Sequence, residues 1–575
     1  MPEFIIDGKT YEFEKGQMLL QYCLDIGIEI PYFCYHPAMS IPTNCRMCLV
    51  EVGNPVRNRE TGQVEKDEKG NTRVNWNKKP NTSCNTPIAE GMFVRTQRTS
   101  ENIRRDQKGV LEYMLSNHPL DCPICDQAGE CPLQIWTYKY GPEGSRFESP
   151  KVHKPKREEL GPNVTIDAER CINCTRCTRF AEEISGSWQL TITNRGEKNY
   201  PTTMPGKTFD DPYSMNTVDL CPVGALTSSH SRFEARAWEM AYTPGICTGC
   251  AKGCNTDVWV RDNKVVRLTP LENKSVNQYW MCDEGRLDIG RYNQNRVTGA
   301  KFKGDFPTDI ETAAIRSAHL IRNVQNKSHI VALGSPFSSL EDNFALKEFA
   351  SRIGAAKVRY VPLVQEGWGD NILKKDDRTP NVAGCELLGF QAVSAGDLSA
   401  SIDWTSPVLI IGFLDAHVMR SISGNFNDEL TSVIAISTHY AEGHEKATVL
   451  LPLATSIESE STFVNCDNIP QVTRMAKEIR RMTPEMWMRL PKSRLDKAAV
   501  PVDNWRNPGN VYDVLPGWSL LTLIGNELEF AMGYGDHAGI FKKMKAELPI
   551  LENVKVSYKV PKEAFKFTQL DFSVR

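Results

Sequence analysis

Thiolate sulfur is the group in this sequence that could do the most chemistry. Fifteen of its eighteen cysteines, together with one histidine, fall into four separable ligand sets. The first is Cys34-x10-Cys45-x2-Cys48-x35-Cys84. Three thiolates near one loop and a fourth delivered from a distance are what a [2Fe–2S] cluster needs. The second is His118-x3-Cys122-Pro123-Ile124-Cys125-x5-Cys131-Pro132. Three cysteines leave a [4Fe–4S] cubane one ligand short, and His118, at the end of an expected helix, supplies the fourth. Imidazole is neutral where thiolate is anionic, so this cluster would carry less negative charge and its reduced form would be favoured.

The third set is Cys171-x2-Cys174-x2-Cys177 with a remote Cys221-Pro222. A two-cluster bacterial ferredoxin repeats C-x2-C-x2-C-x3-C-P, each fourth cysteine serving the other cluster. Here Ala181 takes the fourth place of the first motif, and Asp211, Ser214 and Thr217 take the first three places of the second. One whole ligand set is gone and the other is intact, so a single [4Fe–4S] centre is expected in a two-cluster fold. The fourth set, Cys247-x2-Cys250-x3-Cys254-x27-Cys282, runs into Asp283-Glu284-Gly285-Arg286 and suits a further [4Fe–4S] cluster.

Two blander readings compete. Zinc also binds four cysteines, and disulfides are the usual use of many cysteines in exported chains. Disulfides fit poorly: sixteen cysteines lie before residue 283 and only Cys385 and Cys466 follow. Cys23 sits on an expected apolar helix face and is most simply a small buried hydrophobe. Arg46, Arg176 and Arg179 lie beside ligands, where they either moderate cluster charge or face solvent.

The rest of the chain must position these groups. Its 575 residues exceed one hydrophobic core, and a net charge of -3 gives no electrostatic reason to expect nucleic acid. No apolar run approaches the ~18 residues of a membrane span, and the start, Met1-Pro2-Glu3-Phe4, lacks signal-peptide features; a cytoplasmic chain is expected. Phe4 to Phe13, around Asp7-Gly8, reads as a hairpin. Leu19, Tyr22, Cys23 and Ile26 mark one helix face. The polar stretch from Gly53 to Lys79 reads as an exposed excursion between strands. Ser100 is an expected N-cap for a helix lined by Ile103, Val110, Leu111, Met114 and Leu115. Tyr140 to Gly161 reads as a linker. After about residue 300, β-rich runs (His329 to Leu333, Val358 to Pro362, Pro407 to Phe413, Ser432 to Ile436, Thr448 to Pro452) alternate with helical stretches, which predicts an α/β domain with a largely parallel sheet.

In this order the four sets resemble the large G-type subunit of NADH-quinone oxidoreductase, respiratory complex I. The resemblance is carried by Tyr35-His36-Pro37, Cys45-Arg46-Met47-Cys48-Leu49-Val50, His118-Pro119-Leu120-Asp121-Cys122-Pro123 and Leu220-Cys221-Pro222-Val223-Gly224-Ala225-Leu226. It implies a β-grasp [2Fe–2S] ferredoxin domain (1–97), a helical one-His/three-Cys domain (98–139) and a ferredoxin-like domain (140–239). A molybdopterin-type cluster domain (240–296) and a degenerate molybdopterin-oxidoreductase-like α/β domain (297–575) complete the multidomain α+β and α/β chain. The implied role is electron transfer from an NADH- and FMN-binding subunit towards quinone, on the cytoplasmic face of a bacterial inner membrane, beside quinone-proximal iron–sulfur subunits. The implied cofactors are one [2Fe–2S] and three [4Fe–4S] clusters, with no catalytic residue on this chain.

The C-terminal half is similar to the molybdopterin fold at Val449-Leu450-Leu451-Pro452-Leu453-Ala454 and Ser461-Thr462-Phe463-Val464-Asn465. No molybdopterin is expected. Asn468-Ile469-Pro470-Gln471-Val472 departs from the usual Gly-Arg-Val-Gln stretch, and Cys385 is the only cysteine near a plausible metal position. The rival readings are a cluster-bearing component of an NAD-linked hydrogenase, a molybdenum formate dehydrogenase and a structural zinc protein.

Overall fold

The computed structural model describes residues 1–303, 306–355, 357–491 and 508–556. The chain divides into two compact units, Met1–Ala237 and Trp238–Arg575.

The first unit opens with the expected hairpin. Strands Glu3–Ile6 and Lys9–Glu12 pair antiparallel around Asp7 and Gly8, both at positive φ, the backbone that a two-residue turn requires. Glu3–Ile6 then pairs in parallel with Phe93–Arg95, which lies antiparallel to Leu49–Pro55. Helix Leu19–Asp25 covers one face and buries Leu19, Leu20 and Cys23 against Phe4, Ile6, Val50 and Val94. Two expectations need correction here. Ile26 lies beyond the helix end and is exposed, while Leu20 takes the core place. The stretch from Gly53 to Lys79 is exposed but not free of the sheet, since Val74–Trp76 pairs with Gly53–Pro55.

Ser100 caps helix Glu101–Ser116, accepting the Ile103 amide at 3.2 Å, and Ile103 and Leu111 are buried. Helix Pro132–Tyr140 starts directly after Cys131, with proline in its first turn where no amide is needed. The linker is tethered along the earlier helix: Arg146 pairs with Glu112, and Lys151 Nζ donates to the Leu115 carbonyl at 2.8 Å. A three-stranded sheet follows, with Val164–Ile166 between Leu226–Ser228 and Glu158–Glu159. Helices Arg176–Glu183 and Asn216–Leu220 accompany it.

The second unit begins with an antiparallel sheet of Ala241–Ile246, Asn255–Arg261 and Lys264–Pro270. Among the described residues its larger sheet has eight strands. In sheet order six of them are Val449–Pro452, Thr431–Ser437, Val408–Phe413, Ile330–Leu333, Arg359–Tyr360 and Gln391–Ala392, the last at one edge, all mutually parallel. Numbered along the chain that order is 6-5-4-1-2-3, a doubly wound sheet whose order reverses between Ile330–Leu333 and Val408–Phe413. Strands Ala300–Phe302 and Phe306–Thr308 extend one edge antiparallel. Every residue from Val408 to Phe413 is buried, as expected of a strand covered on both faces. Leu409, Ile411 and Phe413 enter one core, and Val408 and Ile410 enter the other. Gly412 is the one place in that strand where a side chain has no room: φ is +152° and an added Cβ would sit 1.9 Å from the Leu333 carbonyl oxygen. The expected strand from Val358 to Pro362 shrinks to Arg359–Tyr360 at the narrow end of the sheet.

Candidate iron–sulfur sites

Cys34 and Cys45 lie in the long loop before strand Leu49–Pro55, Cys48 immediately precedes it, and Cys84 sits in the short 3-10 turn Ser83–Asn85. All four are buried. They meet as two hydrogen-bonded pairs, Cys34 with Cys45 and Cys48 with Cys84. The bond from Cys34, aided by the backbone amides of Met47, Cys34 and Phe33, outweighs burial and pulls Cys45 down to about 6. The bond from Cys84 likewise lowers Cys48. Cys34 and Cys84, the donors, are held up by the same bonds and by burial. In each pair one sulfur is drawn towards the thiolate form that binds iron, while its partner is held as the donor thiol.

His118 follows the C-cap of helix Glu101–Ser116. Burial, then the nearby Arg170, lowers its imidazole to about 4, and its Nδ1 is buried without a hydrogen-bond partner. A neutral ring with an unused buried nitrogen is what a metal ligand requires. Cys122, Cys125 and Cys131 are mutual electrostatic neighbours. Burial raises Cys131 to about 12, Cys125 is also raised by burial, and Cys122 is exposed. Arg170 acts on both His118 and Cys125.

Cys171, Cys174, Cys177 and Cys221 are also brought together. Asn173 and Thr175 adopt positive φ so that the loop coils round the sulfurs, and the Asn173 amide donates to Cys171 Sγ at 3.4 Å. Burial raises Cys171 to about 12 and Cys174 to about 11. The lost second set is closed over: Ala181, Asp211, Ser214 and Thr217 are all buried. Asp211 accepts the Tyr213 amide at 2.7 Å, and the Thr217 hydroxyl donates to the Ser214 carbonyl at 2.7 Å. Backbone has taken the hydrogen-bonding role that sulfur would leave open.

These three sets share one core. Cys34, Cys45, Cys131 and Cys174 belong to a single apolar cluster with Phe33, Met47, Leu111 and Val223, and Cys171 and Cys221 pack against it. Cys174 feels the charge of Cys45 directly. The Pro222 carbonyl lies 3.6 Å from Cys131 Sγ. Gly224 passes so close to the second set that an added Cβ would lie 2.2 Å from Cys125 Sγ. The need for glycine there was not legible in the sequence, although Gly224 stands within the stretch from Leu220 to Leu226 that helps carry the family resemblance.

In the second unit, Cys247 follows strand Ala241–Ile246, Cys254 precedes Asn255–Arg261, and Cys282 caps helix Asp283–Leu287, accepting the Gly285 amide at 3.4 Å. With Cys250 they line a cavity of about 110 Å³. A Cβ on Gly285 would sit 2.8 Å from Cys247 Sγ and 3.3 Å from Cys282 Sγ, so glycine is what keeps the cradle open. Burial raises Cys247 to about 11 and Cys282 to about 12.

Among the described residues no three His, Cys, Asp or Glu side chains are arranged to hold one metal ion. Cluster ligands bind different iron atoms and need not converge on one point. Cys23 and Cys385 are fully buried in apolar cores, where burial keeps both thiols protonated; Cys466 is exposed. Arg179 is buried and Arg176 half-buried, both bonded to ligand loops, whereas Arg46 is exposed. A separate cavity of about 570 Å³ lies at the reversal of strand order, lined by Phe337, Ser338, Asp415, His417 and Arg420 among others.

Family models match along the same order. A 2Fe-2S iron-sulfur cluster binding domain matches 2–99, and the NADH-ubiquinone oxidoreductase-G iron-sulfur binding region matches 107–146. The NADH-quinone oxidoreductase subunit 3 ferredoxin-like domain matches 161–227, and the molybdopterin oxidoreductase Fe4S4 domain 240–294. The chain is 37% identical over 365 residues to the NADH-ubiquinone oxidoreductase 75 kDa subunit of Reclinomonas americana, covering 62% of this chain and 49% of that one. It is 32% identical over 475 residues to the G-type subunit of the NADH-quinone oxidoreductase of Streptomyces coelicolor, covering 79% and 53%. A solved NAD+-reducing [NiFe]-hydrogenase chain is 26% identical, covering 41% of this chain and 91% of that one, but its TM-score of 0.33 is too low to bear on the fold. The chain spans about half the length of the curated relatives it matches. Its sequence places it in the family of G-type, or 75 kDa, subunits of NADH-quinone oxidoreductases.

Proposed function

We propose that this chain is an electron-transfer subunit of the peripheral arm of an NADH:quinone oxidoreductase. On this reading Cys34, Cys45, Cys48 and Cys84 hold a [2Fe–2S] cluster. Three [4Fe–4S] clusters sit on His118, Cys122, Cys125 and Cys131, on Cys171, Cys174, Cys177 and Cys221, and on Cys247, Cys250, Cys254 and Cys282. The observation that carries the reading is the single apolar core into which ligands of the first three sets project. Electron transfer asks little of a protein beyond close placement of its centres and tuning of their potentials by charge, hydrogen bonds and burial. Bound clusters would supply one-electron acceptance and release. The chain's own residues bury most of the ligand cysteines, donate amides to several of their sulfurs and keep His118 neutral. No general base or nucleophile is required of it.

The finer division follows: a β-grasp domain over 1–97, a helical domain over 98–139, a ferredoxin-like domain over 140–239, a cluster domain over 240–296 and an α/β scaffold from 297 onward. The partners would be an NADH- and FMN-binding subunit and quinone-proximal iron–sulfur subunits, on the cytoplasmic face of the membrane. The scaffold would carry no molybdenum, because Cys385 is packed in its core rather than presented to a cofactor.

Metal analysis and electron paramagnetic resonance of the full chain, purified without oxygen, test the reading. About 14 iron atoms per chain, from one binuclear and three cubane clusters, one binuclear and several cubane signals on reduction, and no molybdenum are expected. A colourless protein holding zinc would sink it.

A further inference from the structure

The segment that carries three ligands of the third set also reaches both other sets of its unit. Arg179, on helix Arg176–Glu183, donates to the carbonyl of Cys34, a ligand of the first set, and to the Ser40 carbonyl at 2.5 Å. Arg176 donates to the Tyr35 carbonyl and, at 3.2 Å, to the carbonyl of Leu220, the residue before Cys221. Glu183, at the end of the same helix, accepts the Ser40 amide at 2.8 Å, and Asn44 Nδ2 donates to the Asn173 carbonyl at 3.2 Å. The loop from Cys34 to Cys45 is thus stitched along its length to the third set.

At the other end of the segment, Arg170 is buried. Its Nη2 donates to Asp121, next to Cys122, at 2.9 Å, and its Nη1 to the Gly224 carbonyl at 3.5 Å, over the glycine that abuts Cys125. Asp167 lies 3.3 Å from its Nε, and Lys156 shares Asp121. Arg170 therefore stands between two carboxylates and the second set. Arg179 has Glu183 as a nearby carboxylate, Arg176 as a neighbouring cation, and the ligand sulfurs of Cys174 and Cys34 within reach of its charge.

We infer that the segment from Arg170 to Arg179 is a clamp that fixes the first and second clusters in position around the third, with its buried guanidinium groups acting as their counter-charges. The inference rests on the cluster assignment proposed above. A reduced cluster carries one more negative charge, so a nearby fixed cation favours reduction and its removal lowers the midpoint potential. Arginine suits the task because its planar fork fixes two carbonyls in one rigid geometry, whereas a lysine ammonium is a point charge on a flexible stem.

The test is redox titration with paramagnetic resonance on the full, anaerobically purified chain and its Arg179→Gln, Arg179→Lys, Arg170→Gln and Arg170→Lys variants. Arg179→Gln should lower the midpoint of the binuclear cluster by a tenfold shift in its reduction equilibrium or more, about 59 mV for one electron. Arg170→Gln should do the same to the histidine-ligated cluster. Arg179→Gln should leave the midpoint of the histidine-ligated cluster in place, and Arg170→Gln that of the binuclear one. Arg179→Lys keeps the charge, so its midpoint should stay within about threefold of the unaltered chain in reduction equilibrium. Its lost fork should weaken the relaxation enhancement that the third cluster imposes on the first.

Unaltered midpoints in both glutamine variants, or equal shifts in the first and second clusters from either variant, would overturn the counter-charge role. Unaltered relaxation enhancement in Arg179→Lys would overturn the clamp. If a glutamine variant fails to retain iron, the lysine variant at that position decides: a midpoint displaced by more than about threefold in reduction equilibrium despite the kept charge would overturn the counter-charge role. Absence of cluster signals from the unsubstituted chain would instead defeat the functional assignment itself, a distinct result.

Discussion

His118 is where a single atom decides most. Its ring is kept neutral by burial and by the neighbouring Arg170, and its Nδ1 has no other partner. Replacing it with cysteine would give the second cluster a fourth anionic ligand. His118→Cys should retain iron but lower that cluster's midpoint by at least a tenfold change in its reduction equilibrium, about 1.4 kcal/mol, read by redox titration. An unchanged midpoint would mean that His118 is not a ligand. The sequence pointed to this residue as a candidate, since three cysteines leave one of four places open and His118 stands at the end of the expected helix. Arg170 was not legible, because its role depends on Asp121 and Gly224, 49 and 54 residues away along the chain.

At the scale of elements, alternating apolar residues and turn chemistry were good guides. The Asp7-Gly8 hairpin, the Ser100 cap and the buried runs of the parallel sheet formed where local preference and burial agree. The failures share one cause. Ile26 had the right spacing but fell past the end of its helix, and Val74–Trp76 joined the sheet despite polar surroundings because Gly53–Pro55 presented an open edge. Periodicity cannot report what an element meets. Gly412 makes the point in energy: its substitution by alanine drives a Cβ into the Leu333 carbonyl of the neighbouring strand. Gly412→Ala should destabilise the second unit by about 3 kcal/mol, the upper range for overpacking a tight core. Thermal unfolding followed with cluster-independent tryptophan fluorescence checks this, and a loss below about 0.5 kcal/mol would contradict the geometry.

Across the larger unit, one buried ionic group spans distant parts of the chain. Glu458 is fully buried; it receives two hydrogen bonds from Arg296, at 2.9 and 2.7 Å, and Lys477 lies 3.6 Å away. Burial alone would raise its carboxyl, but the attraction of Arg296 outweighs it and the value falls to about 2. A carboxyl depressed in the fold stabilises it above the unfolded value near 4.5, and that stability is lost as pH falls from there through about 2. Glu458→Gln, which strands two buried cations, should cost about 3–5 kcal/mol at neutral pH. It should also flatten the acid limb of an unfolding curve measured between those pH values; an acid limb identical to that of the unsubstituted chain would exclude this role.

The candidate ligands and the order of the four sets were legible in the sequence, because the cores of the sets are written in short, local spacings. Their gathering was decided only by tertiary structure. Cys34, Cys131 and Cys174 enter one core, arginines reach across to neighbouring ligand loops, and Gly224 leaves room beside Cys125. The physical reason is range. Coordination chemistry is set by residues a few places apart, whereas the spacing between clusters depends on packing and hydrogen bonds between segments separated by up to 145 residues, and no local pattern encodes that distance.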